Sequence, residues 1–104
     1  MEIKQVQRDV ADRGKKLGIK KQKPLEILAA ITEELGEVAT EVSLFEQIGN
    51  KVNWKRKADK NLLEREIAQL LINTISLATA YKIDVDDALT HLFESKSEFS
   101  TPVL

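Results

Sequence analysis

An all-α fold of four helices is predicted by three features of the sequence. Apolar residues recur three, four and seven apart, Gly18, Pro24 and Gly49-Asn50 fall between those stretches, and no convincing strand pattern appears. The first helix is expected from about residue 2 to 16, with Ile3, Val6, Val10 and Leu17 on one side. Gly14, Gly18 and the basic run from Lys15 to Lys23 then weaken it. Pro24 suits the first turn of the second helix, where its missing N–H has no intrahelical partner to lose. That helix is expected to reach about Gln47 and to end at Gly49-Asn50. The segment Lys51-Val52-Asn53-Trp54-Lys55-Arg56-Lys57 is basic and irregular, and a functional loop is expected there. A third helix is expected from about Ala58 to Tyr81. It has no charged residue between Glu66 and Lys82, which predicts burial on most sides. Asp84 opens the fourth, with Asp86 and Asp87 in its first turn and Ile83 and Ala88 at hydrophobic-staple positions. The tail from about residue 97 is expected to be loose.

At 104 residues the chain fits one domain, spanning residues 1–104, in which a second copy would help bury apolar surface. Its 16 basic and 17 acidic residues give a net charge of −1, so no global basic field points to nucleic acid or an anionic membrane. Cysteine is absent, which excludes disulfides and thiolate metal sites; any metal must use oxygen ligands or the single His91. Met1-Glu2-Ile3-Lys4 lacks the apolar run of a signal peptide, and no uncharged stretch is long enough to span a membrane. A cytoplasmic setting is expected.

The charge is balanced but segregated. Between Lys23 and Lys51 there are six glutamates and no basic residue, and three of the six form Glu33-Glu34-Leu35-Gly36-Glu37. Like charges one helical turn apart repel by roughly 0.2–0.5 kcal/mol, so carboxylates left without basic partners suggest a cation. At about 100° per residue, with Glu33 at zero, Glu26, Glu37, Glu41 and Glu34 fall near 20°, 40°, 80° and 100°. Ile27, Ile31, Leu35, Val38 and Val42 span about 120° to 200°, so the acids are expected to flank the core. On the third helix Glu66, Gln69 and Asn73 make a narrow polar stripe. Burying such groups unpaired costs on the order of 2–7 kcal/mol for an amide and more for a carboxylate, so they need partners.

Mg²⁺ prefers oxygen ligands in octahedral array and is commonly shared between a few carboxylates and substrate phosphates. Glu34 and Glu37 project from one turn, and Glu66 and Gln69 repeat the spacing on the next long helix. Side-by-side packing would let these four converge on one site.

Glu33-Glu34-Leu35-Gly36-Glu37, followed by Glu66-Ile67-Ala68-Gln69-Leu70-Leu71, resembles the paired motifs of the MazG-like all-α nucleoside triphosphate pyrophosphohydrolases. The resemblance extends through Ile83-Asp84-Val85-Asp86-Asp87-Ala88-Leu89 and covers about residues 25 to 95. It implies a four-helix bundle completed by dimerisation, as a homodimer or tetramer. The implied reaction is Mg²⁺-dependent cleavage of a nucleoside triphosphate into monophosphate and pyrophosphate. Glu34, Glu37 and Glu66 match metal-binding positions; Glu33 matches the adjacent glutamate that positions or deprotonates the attacking water or joins a second ion. Gln69 stands where the family usually has aspartate, which removes one negative charge and should weaken the ion's hold. Asn73, one turn on, would compensate or touch the nucleotide.

Each feature also has a simpler reading. The acidic cluster could be a solvated face, and Glu66, Gln69 and Asn73 an interhelical hydrogen-bond network. Lys55, Arg56 and Lys57 would contact phosphate or face solvent, and Trp54 would stack on a base or pack on protein. His91 has no ligand-spaced companion and is read as structural. Three classes follow: an Mg²⁺-dependent pyrophosphohydrolase, a nucleotide- or metal-binding regulator without turnover, and a helix-bundle interaction protein.

Overall fold

The computed structural model describes residues 2–18, 21–49 and 56–95, and within them four helices and no strand. These are α1 (Ile3–Lys16), α2 (Pro24–Glu46), α3 (Lys60–Ala80) and α4 (Val85–Glu94). Trp54, Lys55 and the tail from about residue 97 lie outside the described residues.

Local chemistry sets the boundaries. Pro24 occupies the first turn of α2, and the Lys23 N–H donates to the Glu26 carboxylate at 2.9 Å, satisfying a donor at the helix start. α2 stops at Glu46 because Gln47 turns left-handed (φ 53°) and sends its N–H back to the Ser43 carbonyl. α3 begins two residues later than its apolar pattern suggested. Asp59 takes extended backbone and its carboxylate accepts from the Asn61 and Leu62 N–H groups at 2.9 and 3.2 Å, so the cap overrides the helix-compatible Ala58. Asp84 caps α4 in the same way, accepting from the Asp87 N–H at 3.1 Å.

α2 packs along α3, and α1 lies against α3 and α4. One side chain ties the last three together. Gln7 of α1 donates to Thr79 Oγ1 and the Ile83 carbonyl at 3.0 and 2.8 Å, and accepts from the Val85 N–H at 3.0 Å. Both its amide nitrogen and its amide oxygen thereby serve the α3–α4 junction.

The centre of the packing departs from the helical wheel. Ile27, Leu44 and Ile75 are the buried apolar residues among those described, and Glu41 is buried with them at 1% exposure. Of the acid side of α2, Glu41 turns fully inward and Glu34 is half-buried, while Glu26, Glu33 and Glu37 stay exposed. Leu35 and Val42, expected in the core, are exposed, the former at 56%. α3 is likewise not covered on most sides within one chain: Ile67 is exposed and Leu71 stands 57% exposed, whereas Ile75 is buried inside the chain. A stretch without charge can be apolar for a face that its own chain does not cover.

Candidate active site

α2 and α3 together shape a recess of about 250 Å³, lined by Glu34, Glu37, Leu62, Arg65, Glu66 and Gln69. The four oxygen-bearing residues singled out by spacing therefore do meet. Glu34 and Glu37 come from one turn of α2, and Glu66 and Gln69 from one turn of α3.

The electrostatics of the recess are those of crowded acids. Glu34 is held above its ordinary carboxylate pKa, first by desolvation and then by repulsion from Glu37 and by sharing a hydrogen bond with it; Glu66 and Glu33 add repulsion. Glu66 is raised as well, by desolvation and then by the charges of Glu41 and Glu37, partly offset by Arg56 and Arg65. Its Oε2 is buried without a hydrogen-bond partner. A buried acceptor left unmade costs about 1–3 kcal/mol, more when charged, so the recess as it stands is under electrostatic tension.

Gln69 donates from Nε2 to Asn73 Oδ1 at 2.9 Å, which fixes the amide and leaves its Oε1 for another partner. Asn73 thus orients Gln69. Glu33 is exposed beside Glu34 and does not line the recess, though its charge is felt there. Lys57 is exposed. His91 sits exposed in the last turn of α4, away from the acid cluster.

Arg56 does not line the recess and pairs with Glu41. Its two terminal nitrogens donate to both oxygens of Glu41 at 3.1 and 2.6 Å, and the Asp59 N–H adds a third bond to Glu41 Oε1 at 3.1 Å. The guanidinium holds the Glu41 pKa below the ordinary carboxylate range despite burial. Two roles escaped the sequence: the buried clamp at Glu41, and Arg65 as a recess wall. A signal for Arg65 was available, since it adjoins Glu66 in sequence.

The donor set suits a hard divalent cation. It is all oxygen, it keeps like charges together, and it contains a buried carboxylate oxygen with no partner. Among the described residues, no three His, Asp or Glu side chains stand close enough as placed to hold one ion. The recess gathers donors without closing them about a point. No helix among the described residues is long and apolar enough to cross a membrane.

Comparison with known proteins agrees with the family resemblance. No solved structure matches the chain. An uncharacterised protein of Bacillus subtilis (strain 168), YpjD, is 33% identical over 78 residues, covering 72% of this chain and 68% of that protein. The model of the MazG nucleotide pyrophosphohydrolase domain matches residues 22–98, a span that holds α2, α3, α4 and every wall of the recess, and the chain belongs to that family.

Proposed function

We propose that the protein is an Mg²⁺-dependent nucleotide pyrophosphohydrolase that cleaves a ribo- or deoxyribonucleoside triphosphate to its monophosphate and pyrophosphate. The observation that carries this reading is the unpartnered Glu66 Oε2 in a recess where Glu34 is also pushed toward protonation. Family membership supplies the reaction class.

Glu34, Glu37, Glu66 and Gln69 would hold Mg²⁺, which when bound neutralises phosphate charge and polarises the α-phosphoryl group. The remaining work falls to the protein's own groups. Glu33 accepts a proton from water as the water oxygen bonds to the α-phosphorus. The bond from that phosphorus to the oxygen bridging to the β-phosphate breaks, and pyrophosphate leaves with the electron pair. Asn73 steadies Gln69 and faces the nucleotide, while Trp54, Lys55, Arg56 and Lys57 belong to the basic segment that meets base and phosphates. Gln69 also borders a groove of about 830 Å³ beside α1, walled by Val10, Ile72 and Ser76, with room for base and sugar. The working form is a homodimer or tetramer in the cytoplasm, its subunits joined through exposed apolar side chains such as Leu35, Ile67 and Leu71.

A nucleotide-binding regulator is the second reading, favoured by the neutral Gln69 and the open donor set. One assay decides between them. Pure protein is incubated with a panel of ribo- and deoxyribonucleoside triphosphates, with and without Mg²⁺, and the products are resolved. Monophosphate plus pyrophosphate, formed only with Mg²⁺, is expected; binding without consumption would favour the regulator, and neither would refute both.

A further inference from the structure

Glu41 is the one charged residue among those described that is buried, and the reaction above does not use it. It is a turn beyond Glu37, a wall of the recess, on α2. Both of its oxygens are spent on Arg56, and one also on the Asp59 N–H at the start of α3. Ion pairs are a poor means of filling a helix interface, since apolar residues of similar volume often serve as well or better. A carboxylate placed there suggests that the geometry of its partner matters.

That partner is half outside. The Arg56 side chain is 45% exposed, and the two bonds to Glu41 engage only its terminal nitrogens. Of five guanidinium N–H groups, two are used, and the other three, in a fixed plane, have no partner among the described residues. Arg56 is bonded to Glu41, one turn from the recess wall Glu37, and Glu41 also takes the Asp59 N–H that opens α3 ahead of Leu62, Arg65 and Glu66, so the guanidinium stands at the margin of the recess. A guanidinium pre-oriented at such a margin is suited to a tetrahedral oxyanion, and the ion pair spares it the entropy of being ordered when the anion arrives.

We propose that Glu41 is a positioning residue for the triphosphate site, holding Arg56 at the margin of the recess so that its free N–H groups meet the phosphate chain. This rests on the reading of the recess as a nucleotide site, and the test separates the two. Kinetics with the preferred triphosphate are measured for the wild type, Glu41→Gln, Arg56→Ala and the double variant. Calorimetric titration with magnesium pyrophosphate runs alongside and needs no turnover.

Gln at position 41 can accept from only one guanidinium nitrogen, so the fork is lost while size is kept. Both single variants should raise KM, and weaken pyrophosphate binding, by about tenfold, as expected for losing a charge-assisted hydrogen bond, with a much smaller change in kcat. The double variant should be no weaker than Arg56→Ala, because Glu41 acts through Arg56. Arg56→Lys keeps the charge without the fork and should also be impaired, which preserves the test if Glu41→Gln fails to fold. A lower melting temperature with unchanged KM and pyrophosphate affinity would make the clamp merely structural and overturn the proposal. Absent turnover with intact pyrophosphate binding would overturn the hydrolase but leave Glu41 to be judged by calorimetry; no pyrophosphate binding by the wild type would overturn both.

Discussion

Replacing Glu66 by Gln should stabilise the metal-free protein and abolish its response to Mg²⁺. In the chain as it stands, Glu66 Oε2 is buried without a partner, and the carboxylate is desolvated beside the charges of Glu41 and Glu37. The cost of such an acceptor is about 1–3 kcal/mol. Gln keeps the shape, discards the charge and brings an amide donor that neighbouring carboxylates can accept. Because Glu66 is only half-buried, the lower end of the range applies, so about 1 kcal/mol should be recovered. In a domain of this size that raises the melting midpoint by about 4–8 °C. With Mg²⁺ the order should reverse. A native-state ligand at a hundred times its dissociation constant stabilises by about 2.7 kcal/mol, and only the wild type should receive it. Thermal melts near neutral pH, in EDTA and across a series of Mg²⁺ concentrations, give both numbers. A variant that melts below the wild type in EDTA would show that the Glu66 carboxylate is stabilising as it stands. One that still gains from Mg²⁺ as the wild type does would remove Glu66 from the ligand set.

Three further outcomes follow from the same geometry. Glu34 and Glu66, with raised pKa values, contribute stability below the ordinary carboxylate value of 4.5 and lose it as pH rises through their higher folded values. Glu41, with a lowered pKa, contributes above 4.5 and loses its contribution as pH falls through its folded value. Metal-free stability should therefore peak on the acid side of neutrality, and Mg²⁺, by displacing the held protons, should move the maximum to higher pH in melts taken across a pH series. Gln69→Asp should lower the Mg²⁺ concentration for half-maximal activity, since it restores a negative charge to a recess that already favours cations; if neither Gln69→Asp nor Gln69→Ala changes metal dependence, Gln69 is not a ligand. Leu71→Glu, alone or with Ile67→Glu, should reduce the mass measured by light scattering, because these exposed apolar side chains of α3 are proposed to meet a second copy; an unchanged mass would place the contact elsewhere.

The helices and the four recess residues were legible because both rest on local periodicity. Pro24, Asp84 and the three- and four-residue spacing of apolar positions report directly on turns of helix, and Glu34/Glu37 with Glu66/Gln69 need only that α2 lie beside α3. Which way each helix faces was less legible. Hydrophobicity ranked Leu35 and Val42 above Glu41 for the interior, yet the chain buries Glu41 and exposes the other two. A wheel records preference for leaving water, not which neighbour provides the cover, and an apolar face can be reserved for a surface outside the chain. The start of α3 was missed by two residues because the Asp59 cap depends on extended backbone at one position, which composition does not encode.

The acidic run of α2 shows where sequence reasoning misleads in a useful way. With no basic residue between Lys23 and Lys51, the sequence suggests a helix that holds its carboxylates for a cation. The fold divides them. Glu26 accepts a backbone N–H at the start of its own helix, and Glu41 finds Arg56 from the segment before α3. Glu34 and Glu37 find no basic partner among the described residues; they share a hydrogen bond and line the same recess as the orphaned oxygen of Glu66. Supplying a guanidinium to Glu41 lowers its pKa although burial alone would raise it, whereas Glu34, desolvated beside Glu37 and with no such partner among the described residues, is raised. Two carboxylates on one helix are thus shifted in opposite directions, Glu41 chiefly by its partner and Glu34 chiefly by desolvation. The one left unsatisfied is the one that has an affinity for a cation still to express.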